Sequence, residues 1–171
     1  RFTFPGDDAK LIFDNVNNSG GLTLDTQNGV VTGFSDVRSG LSTGATRMFF
    51  YAVFDKPVTA GSKLTGQGRN NVLGYLAFDA GEDQVVTMRI ASSLISVDQA
   101  RHNLELEINQ SDSFEAVKQR AQQAWDAKLG VIEVEGASED QLVTLYSNLY
   151  RLHLYPNSGF ENTGTADAPA Y

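Results

Sequence analysis

Thr46-Arg47-Met48-Phe49-Phe50-Tyr51-Ala52-Val53-Phe54-Asp55 carries an unbroken apolar and aromatic run at its centre. Read as a strand, it places Phe49, Tyr51 and Val53 on one face and Met48, Phe50, Ala52 and Phe54 on the other, because successive side chains alternate across a sheet. A strand apolar on both faces is covered twice, which suits a central strand in a sandwich or in stacked layers. Around it, further short strands rich in β-branched and aromatic residues are predicted at 1–4, 10–14, 22–25, 29–35, 60–66, 71–79 and 84–91. In 84–91, Val86, Met88 and Ile90 share one face, and Val85, Thr87 and Arg89 the other. Turn residues separate the strands, among them Asn17-Asn18-Ser19-Gly20-Gly21 and Asp79-Ala80-Gly81. Asn28-Gly29 predicts a tight hairpin, since both residues tolerate positive φ. No helix intervenes between the strands, so antiparallel pairing is expected.

Beyond residue 93 the pattern changes. Ser96-Val97-Asp98-Gln99 fits a capping box and opens a helix over 97–106. Phe114, Val117, Ala121, Ala124, Trp125 and Leu129 recur at helical spacing and define a second helix, ended by Gly130. Trp125 on that stripe is expected in a core, pinning the helix, with a cost of about 3–5 kcal/mol on truncation. Val131 to Glu135 reads as a short strand. Ser138-Glu139-Asp140-Gln141 is a second capping box and opens a helix running to about 155, where Pro156 stops it. On that helix Leu142, Leu145, Tyr146, Leu149, Leu152 and His153 fall in one arc. Val143, Tyr150 and Leu154 widen it to roughly 200°, twice the stripe that one packing partner requires. Two partners are therefore expected, and a bare second face predicts self-association of the chain through the helix 139–155, or fraying there.

The charge distribution breaks at the same place. Up to Ser93 there are 9 acids and 8 bases, and from Leu94 onward 12 acids and 5 bases, for a total of −8. This acidic balance argues against nucleic acid and anionic membrane as partners. With 171 residues and 41 % hydrophobic content the chain is long enough for a sizeable core. Cysteine is absent, which excludes disulfides, thiolate metal sites and a cysteine nucleophile. No apolar run reaches the length of a membrane span. Arg1-Phe2-Thr3-Phe4 already reads as a strand, so a segment of a longer protein is expected.

Chemical motifs are sparse. Gly66-Gln67-Gly68 lacks the third glycine and the following helix of a dinucleotide loop, and reads as a hairpin turn. Asp14 to Asp25 has the length of a calcium loop, but Val16 stands where an oxygen ligand is required. His102 and His153, the only histidines, lie on different predicted helices, which disfavours a histidine metal site or a serine–histidine–aspartate triad. Glu133 and Glu135 share a strand face and read as a solvated pair. No catalytic residue and no metal ligand is assigned within the chain.

The order of motifs resembles glycoside hydrolase family 92, the calcium-dependent exo-acting α-mannosidases. Phe49-Phe50-Tyr51-Ala52-Val53-Phe54-Asp55-Lys56-Pro57 is similar to a sandwich strand of that family. The run from Ser93 through Ser96, Asp98, Gln99 and His102 to Asn103-Leu104 is the most specific match. Trp125-Asp126-Ala127-Lys128-Leu129-Gly130 resembles its tryptophan helix. Tyr146-Ser147-Asn148-Leu149-Tyr150-Arg151 with Pro156 resembles the first helix of its catalytic domain. Arg1-Phe2-Thr3-Phe4-Pro5 also fits, and the matches follow one another at the family's spacing.

The resemblance implies a mainly β chain with C-terminal helices: an antiparallel β-sandwich of galactose-mutarotase-like type over 1–93, a helical linker with a short return strand over 94–136, and the first helix and loop of an (α/α)6 catalytic domain over 137–171. It implies inverting hydrolysis of terminal α-mannosyl bonds in mannose-containing glycans, by a carboxylic acid and a carboxylate on opposite faces of the sugar. It further implies calcium in the full-length enzyme, with none expected in this segment, an (α/α)6 domain of the same protein as partner, and an extracellular, cell-surface or periplasmic location. The acid, the base and most calcium contacts lie in barrel loops whose motifs this sequence does not contain, so the segment alone is expected to be inactive. Asn157, Phe160, Glu161 and Asn162, in the loop after the last helix, are the expected substrate-proximal residues, because amides and carboxylates bind sugar hydroxyls and aromatic rings stack on pyranoses. The alternative is a free-standing carbohydrate-binding sandwich. A mutarotase would need a histidine within the sandwich, and none precedes His102.

Overall fold

The computed structural model describes residues 1–14, 19–36, 47–66, 68, 71–154 and 159–171. Nine strands precede three helices among them: β1 (Phe2–Thr3), β2 (Ala9–Asp14), β3 (Gly20–Asp25), β4 (Val30–Ser35), β5 (Met48–Phe54), β6 (Val58–Lys63), β7 (Leu73–Phe78), β8 (Val85–Val86), β9 (Met88–Ser93), α1 (Val97–Glu107), α2 (Phe114–Leu129) and α3 (Glu139–Leu152). All strand pairs are antiparallel. The expected class, mainly β followed by helices, is the one observed. The chain forms two compact units, one of residues 1–110 with 162–171, the other of residues 111–161.

In the first unit β3-β4-β5-β9 form a four-stranded sheet and β2-β7-β6 a three-stranded one, while β1 pairs with β8. The alternation read in the sequence selects the core. Leu22, Val31, Ala52 and Leu76, with Ala9, Phe78, Ala80 and Val86, are buried together. Phe54 bridges Phe13 and Phe78, with ring centroids 6.1 and 4.8 Å apart. Gly74 leaves the room that Leu22 and Leu24 fill, since a Cβ there would lie 2.9 Å from Leu24 Cδ1.

The opposite face of β5 is covered as well. α1 packs against β5 and β9, burying Ala100 and Leu104, one turn apart. This is the double cover that the two-faced run 48–54 demands. The link from β9 to α1 is built by serines. The buried Ser93 accepts the Ile95 amide at 2.9 Å through its Oγ, and Ser96 caps α1 by accepting the Gln99 amide at 3.0 Å.

The expected strand 84–91 is two strands. β8 ends at Val86, and the Thr87 amide donates to Asp55 Oδ1 at 2.7 Å while its carbonyl accepts the Asp55 amide. This clamp hands the chain from β1 to β5. The hairpin at Asn28-Gly29 is present with a longer loop than two residues, since Asp25 pairs with Val30. Only Gly29 takes positive φ there (63°). The Asp25 carboxylate closes the turn by accepting the amides of Gln27 and Asn28 and the Asn28 side chain.

In the second unit α2 is capped by Ser113 and α3 by the full capping box of Ser138 and Gln141. Gly130 ends α2 at φ −69°, not in the left-handed region. A Cβ there would press on Asp126 O at 2.8 Å, so the glycine serves close approach. Residues 131–135 form turns and bends rather than a short return strand. Their alternating apolar residues meet no strand, and Ile132 instead accepts the Tyr146 hydroxyl at 2.8 Å through its carbonyl. α3 stops at Leu152, where His153 caps it and turns its Nδ1 to Leu149 O at 2.9 Å. Trp125 is half-buried against Tyr150 and His153, at centroid distances of 4.6 and 6.3 Å, rather than enclosed in a core.

Candidate functional site

Of the expected substrate-proximal residues, Phe160, Glu161 and Asn162 lie within the described residues. Asn157 lies outside the described residues. Phe160 and Glu161 end the second unit, whereas Asn162 opens a segment that belongs to the first. Phe160 is 63 % exposed, and Glu161 is half-buried.

Asn162 has a defined structural task. Its Oδ1 accepts the amides of Gly164 (2.9 Å) and Ala170 (3.0 Å), and its Nδ2 donates to Thr165 O at 3.1 Å. The Thr163 amide donates to Ala170 O at 2.7 Å. One side chain thus folds residues 162–170 into a compact knot. The knot is moored to α1. Gln99 Nε2 donates to Asn162 O at 2.8 Å, and His102 Nε2 lies 2.6 Å from Gly164 O. Sequence reading assigned Gln99 to a capping box. Its side chain instead reaches Asn103 Oδ1 and Asn162 O, so only the serine half of that box forms.

The run that carried the family resemblance is therefore a scaffold. Ser93 shapes the turn, Ser96 caps, Asn103 Nδ2 ties α1 to Ser92 O at 3.0 Å, Gln99 and His102 hold the 162–164 backbone, and Leu104 is buried. Gln99 and His102 as moorings were not anticipated. Their signal is the three-residue spacing on the α1 face that departs from the Ala100–Leu104 stripe.

The electrostatics do not mark a proton-transfer centre. Hydrogen bonds from Asn28 hold the Asp25 carboxyl below its ordinary range, and Lys56, 2.8 Å from Asp83 Oδ1, does the same for Asp83. A glycosidic acid needs the opposite, a carboxyl pushed up. Arg47 forks onto Asp36 with both contacts at 2.9 Å while its guanidinium lies 3.9 Å over the Phe34 ring. Arg120 forks onto Asp112 at 2.9 and 2.6 Å. These pairs fix loops and helix ends. Calcium, which the resemblance implies, needs several clustered oxygen ligands. Among the described residues no three or more acidic or histidine side chains cluster so as to hold a metal ion.

The helical end of the chain matches a known family: residues 99–171 match the model described as the glycosyl hydrolase family 92 catalytic domain. The match begins within α1 and so includes its moorings. A curated protein of Arthroderma benhamiae, an uncharacterized secreted glycosidase, is 38 % identical over 87 residues, covering 48 % of this chain and 11 % of that protein. Among solved structures, a family GH92 inverting mannosidase from Bacteroides thetaiotaomicron is 27 % identical, with a TM-score of 0.83 over 95 % of this chain and 23 % of its own. A second GH92 glycosyl hydrolase, 22 % identical, shares the fold with a TM-score of 0.69 over 90 % of this chain and 23 % of its own. The chain spans about a quarter of the length of these solved relatives. The chain is thus similar to glycosyl hydrolase family 92 proteins, by the family's catalytic-domain model over its helical part and by fold over nearly its whole length.

Proposed function

We propose that this chain is the non-catalytic N-terminal region of an inverting, α-1,2-mannosidase-like hydrolase that removes terminal α-mannose from glycans outside the cell. The likeness to the inverting mannosidase over 95 % of the chain carries the reading. In it, the β unit and α1 form a rigid base, and α3 opens an (α/α)6 catalytic domain over 137–171. Inversion requires two carboxyl groups spaced to admit a water between the second and the sugar, one donating a proton and one accepting it. Those carboxyls and the calcium ligands belong, in this proposal, to other parts of the protein. Phe160 and Glu161 stand on the loop after α3, where they would border the sugar site, and Asn162 folds the segment that follows them. The secreted character of the Arthroderma relative supports an extracellular location.

The purified chain, incubated with an α-linked mannobiose and calcium, is expected to release no mannose. Calcium-dependent release above a mock preparation overturns the non-catalytic assignment. The alternative, a free-standing carbohydrate-binding sandwich, is disfavoured by the only tryptophan, which stacks within the helical unit on Tyr150 instead of standing on a sheet face.

A further inference from the structure

Beneath the C-terminal half of α1 the outer face of the four-stranded sheet opens into a cleft of about 330 Å³. Tyr51 of β5 and Arg89 of β9 line it from the sheet, and Arg101, Glu105 and Gln110 from the helix side. Arg89 lies opposite Val53 on the outward row of β9, half-buried. Its backbone belongs to the β5–β9 ladder, but among the described residues its guanidinium makes no hydrogen bond or ion pair, and the Tyr51 hydroxyl makes no hydrogen bond.

Three other cations of this unit contrast with it. Arg47 holds Asp36, Lys56 holds Asp83, and Arg101 holds Glu105 at 2.8 Å. A guanidinium stays charged at any ordinary pH and presents a planar fork of donors, so a partly buried one without an acceptor leaves binding capacity unused. Among the described residues Glu105 is the only acid in the lining and is already engaged, so two guanidinium groups face one carboxylate inside a chain of net charge −8. Leu104 and Ile108 add apolar wall, which strengthens an ionic hydrogen bond by excluding water.

We propose that this cleft is an oxyanion-binding site, taking a carboxylate or phosphate group on the fork of Arg89 with the Tyr51 hydroxyl as a further donor. Such a group fits the planar fork through two parallel N–H···O bonds. It can arrive as a free anion or on an acidic peptide segment.

The test is titration of the 171-residue chain with inorganic phosphate at constant ionic strength, read by NMR at the Arg89 Nε–H and the Gln110 side-chain amide. Saturable shifts are expected, with affinity lowered about tenfold or more in Arg89→Met and raised a few-fold in Glu105→Gln. Shifts that rise linearly without saturation, or saturate equally in Arg89→Met, overturn the proposal. Should Arg89→Met fail to fold, Glu105→Gln decides: tighter binding supports the site, and unchanged binding overturns it. A hexaglutamate peptide in a parallel titration separates the sources. Saturation at about a tenth of the phosphate concentration assigns the site to an acidic segment, and saturation at equal or higher concentration assigns it to a free anion.

Discussion

The β unit and the helical unit place their apolar residues differently. In the first, Val31, Ala52, Leu76, Val86 and Ala100 have no solvent-exposed surface. In the second, α2 and α3 contain no fully buried residue, although their stripes are as regular in sequence. On α3 Val143 and Tyr150 are 60 and 40 % exposed, and Leu154 just beyond its end is 51 % exposed. Periodicity reports that a face is apolar; it does not report that this chain supplies the cover. A sheet finds cover in a second sheet and in α1, whereas the helical pair is held by the ring contacts of Trp125 with Tyr150 and His153.

The largest test of this contrast is Leu76→Ala. Leu76 is fully enclosed, and its truncation is expected to cost about 2–5 kcal/mol in urea unfolding of the β unit. A cost near zero would show that the sheets do not share a tight core. Trp125→Ala is expected to cost less, about 1–2 kcal/mol, since the residue contributes an aromatic pair and partial burial. A loss of the size expected for Leu76 would mean that the helical unit has a core of its own. Val143→Lys should change stability by less than about 0.5 kcal/mol, as at an exposed position. If the α3 face pairs two copies of the chain, as we propose for the isolated chain, the same substitution shifts sedimentation from dimer to monomer. A wild-type chain that sediments as a strict monomer rules that pairing out.

The smallest effect lies at the Asp25 turn. Its carboxyl sits below the ordinary value of 3.8, mainly through the Asn28 side chain, so the contribution is present above that value and is lost as pH falls through the lowered one. Amide protection of Gln27 and Asn28 should therefore be steady near neutrality and decline only at strongly acid pH. A decline centred near neutrality would assign the turn to another group.

The doubly covered strand β5 was legible because its seven-residue apolar run leaves no polar face to solvent. The starts of α1 and α3 were legible because serine caps are local, and that of α2 because its apolar stripe begins at Phe114. The division of 84–91 was not, since it depends on Asp55, which is remote in sequence and held at Thr87 by tertiary contact. Residues 131–135 carry strand-like alternation, but alternation without a neighbouring edge forms no sheet. At the candidate loop, an asparagine that folds a turn and one that grips a sugar hydroxyl look alike in sequence. The three bonds of the Asn162 side chain give it a turn-folding task that its residue type alone does not announce. Arg89 was visible as the charged member of an otherwise uncharged strand face, yet its missing partner became visible only with α1 in place.

The mooring of Asn162 and Gly164 on α1 joins positions 63 and 62 residues apart and closes a loop that contains the whole helical unit. Closure entropy grows only with the logarithm of loop length, so doubling such an excursion costs about 0.6 kcal/mol. Insertions between residues 111 and 154 should thus leave the knot seated, whereas an added residue in β5 would invert every side chain beyond it. Between the two ends of that loop, the architecture has room to change in length across evolution while the base beneath it keeps its register.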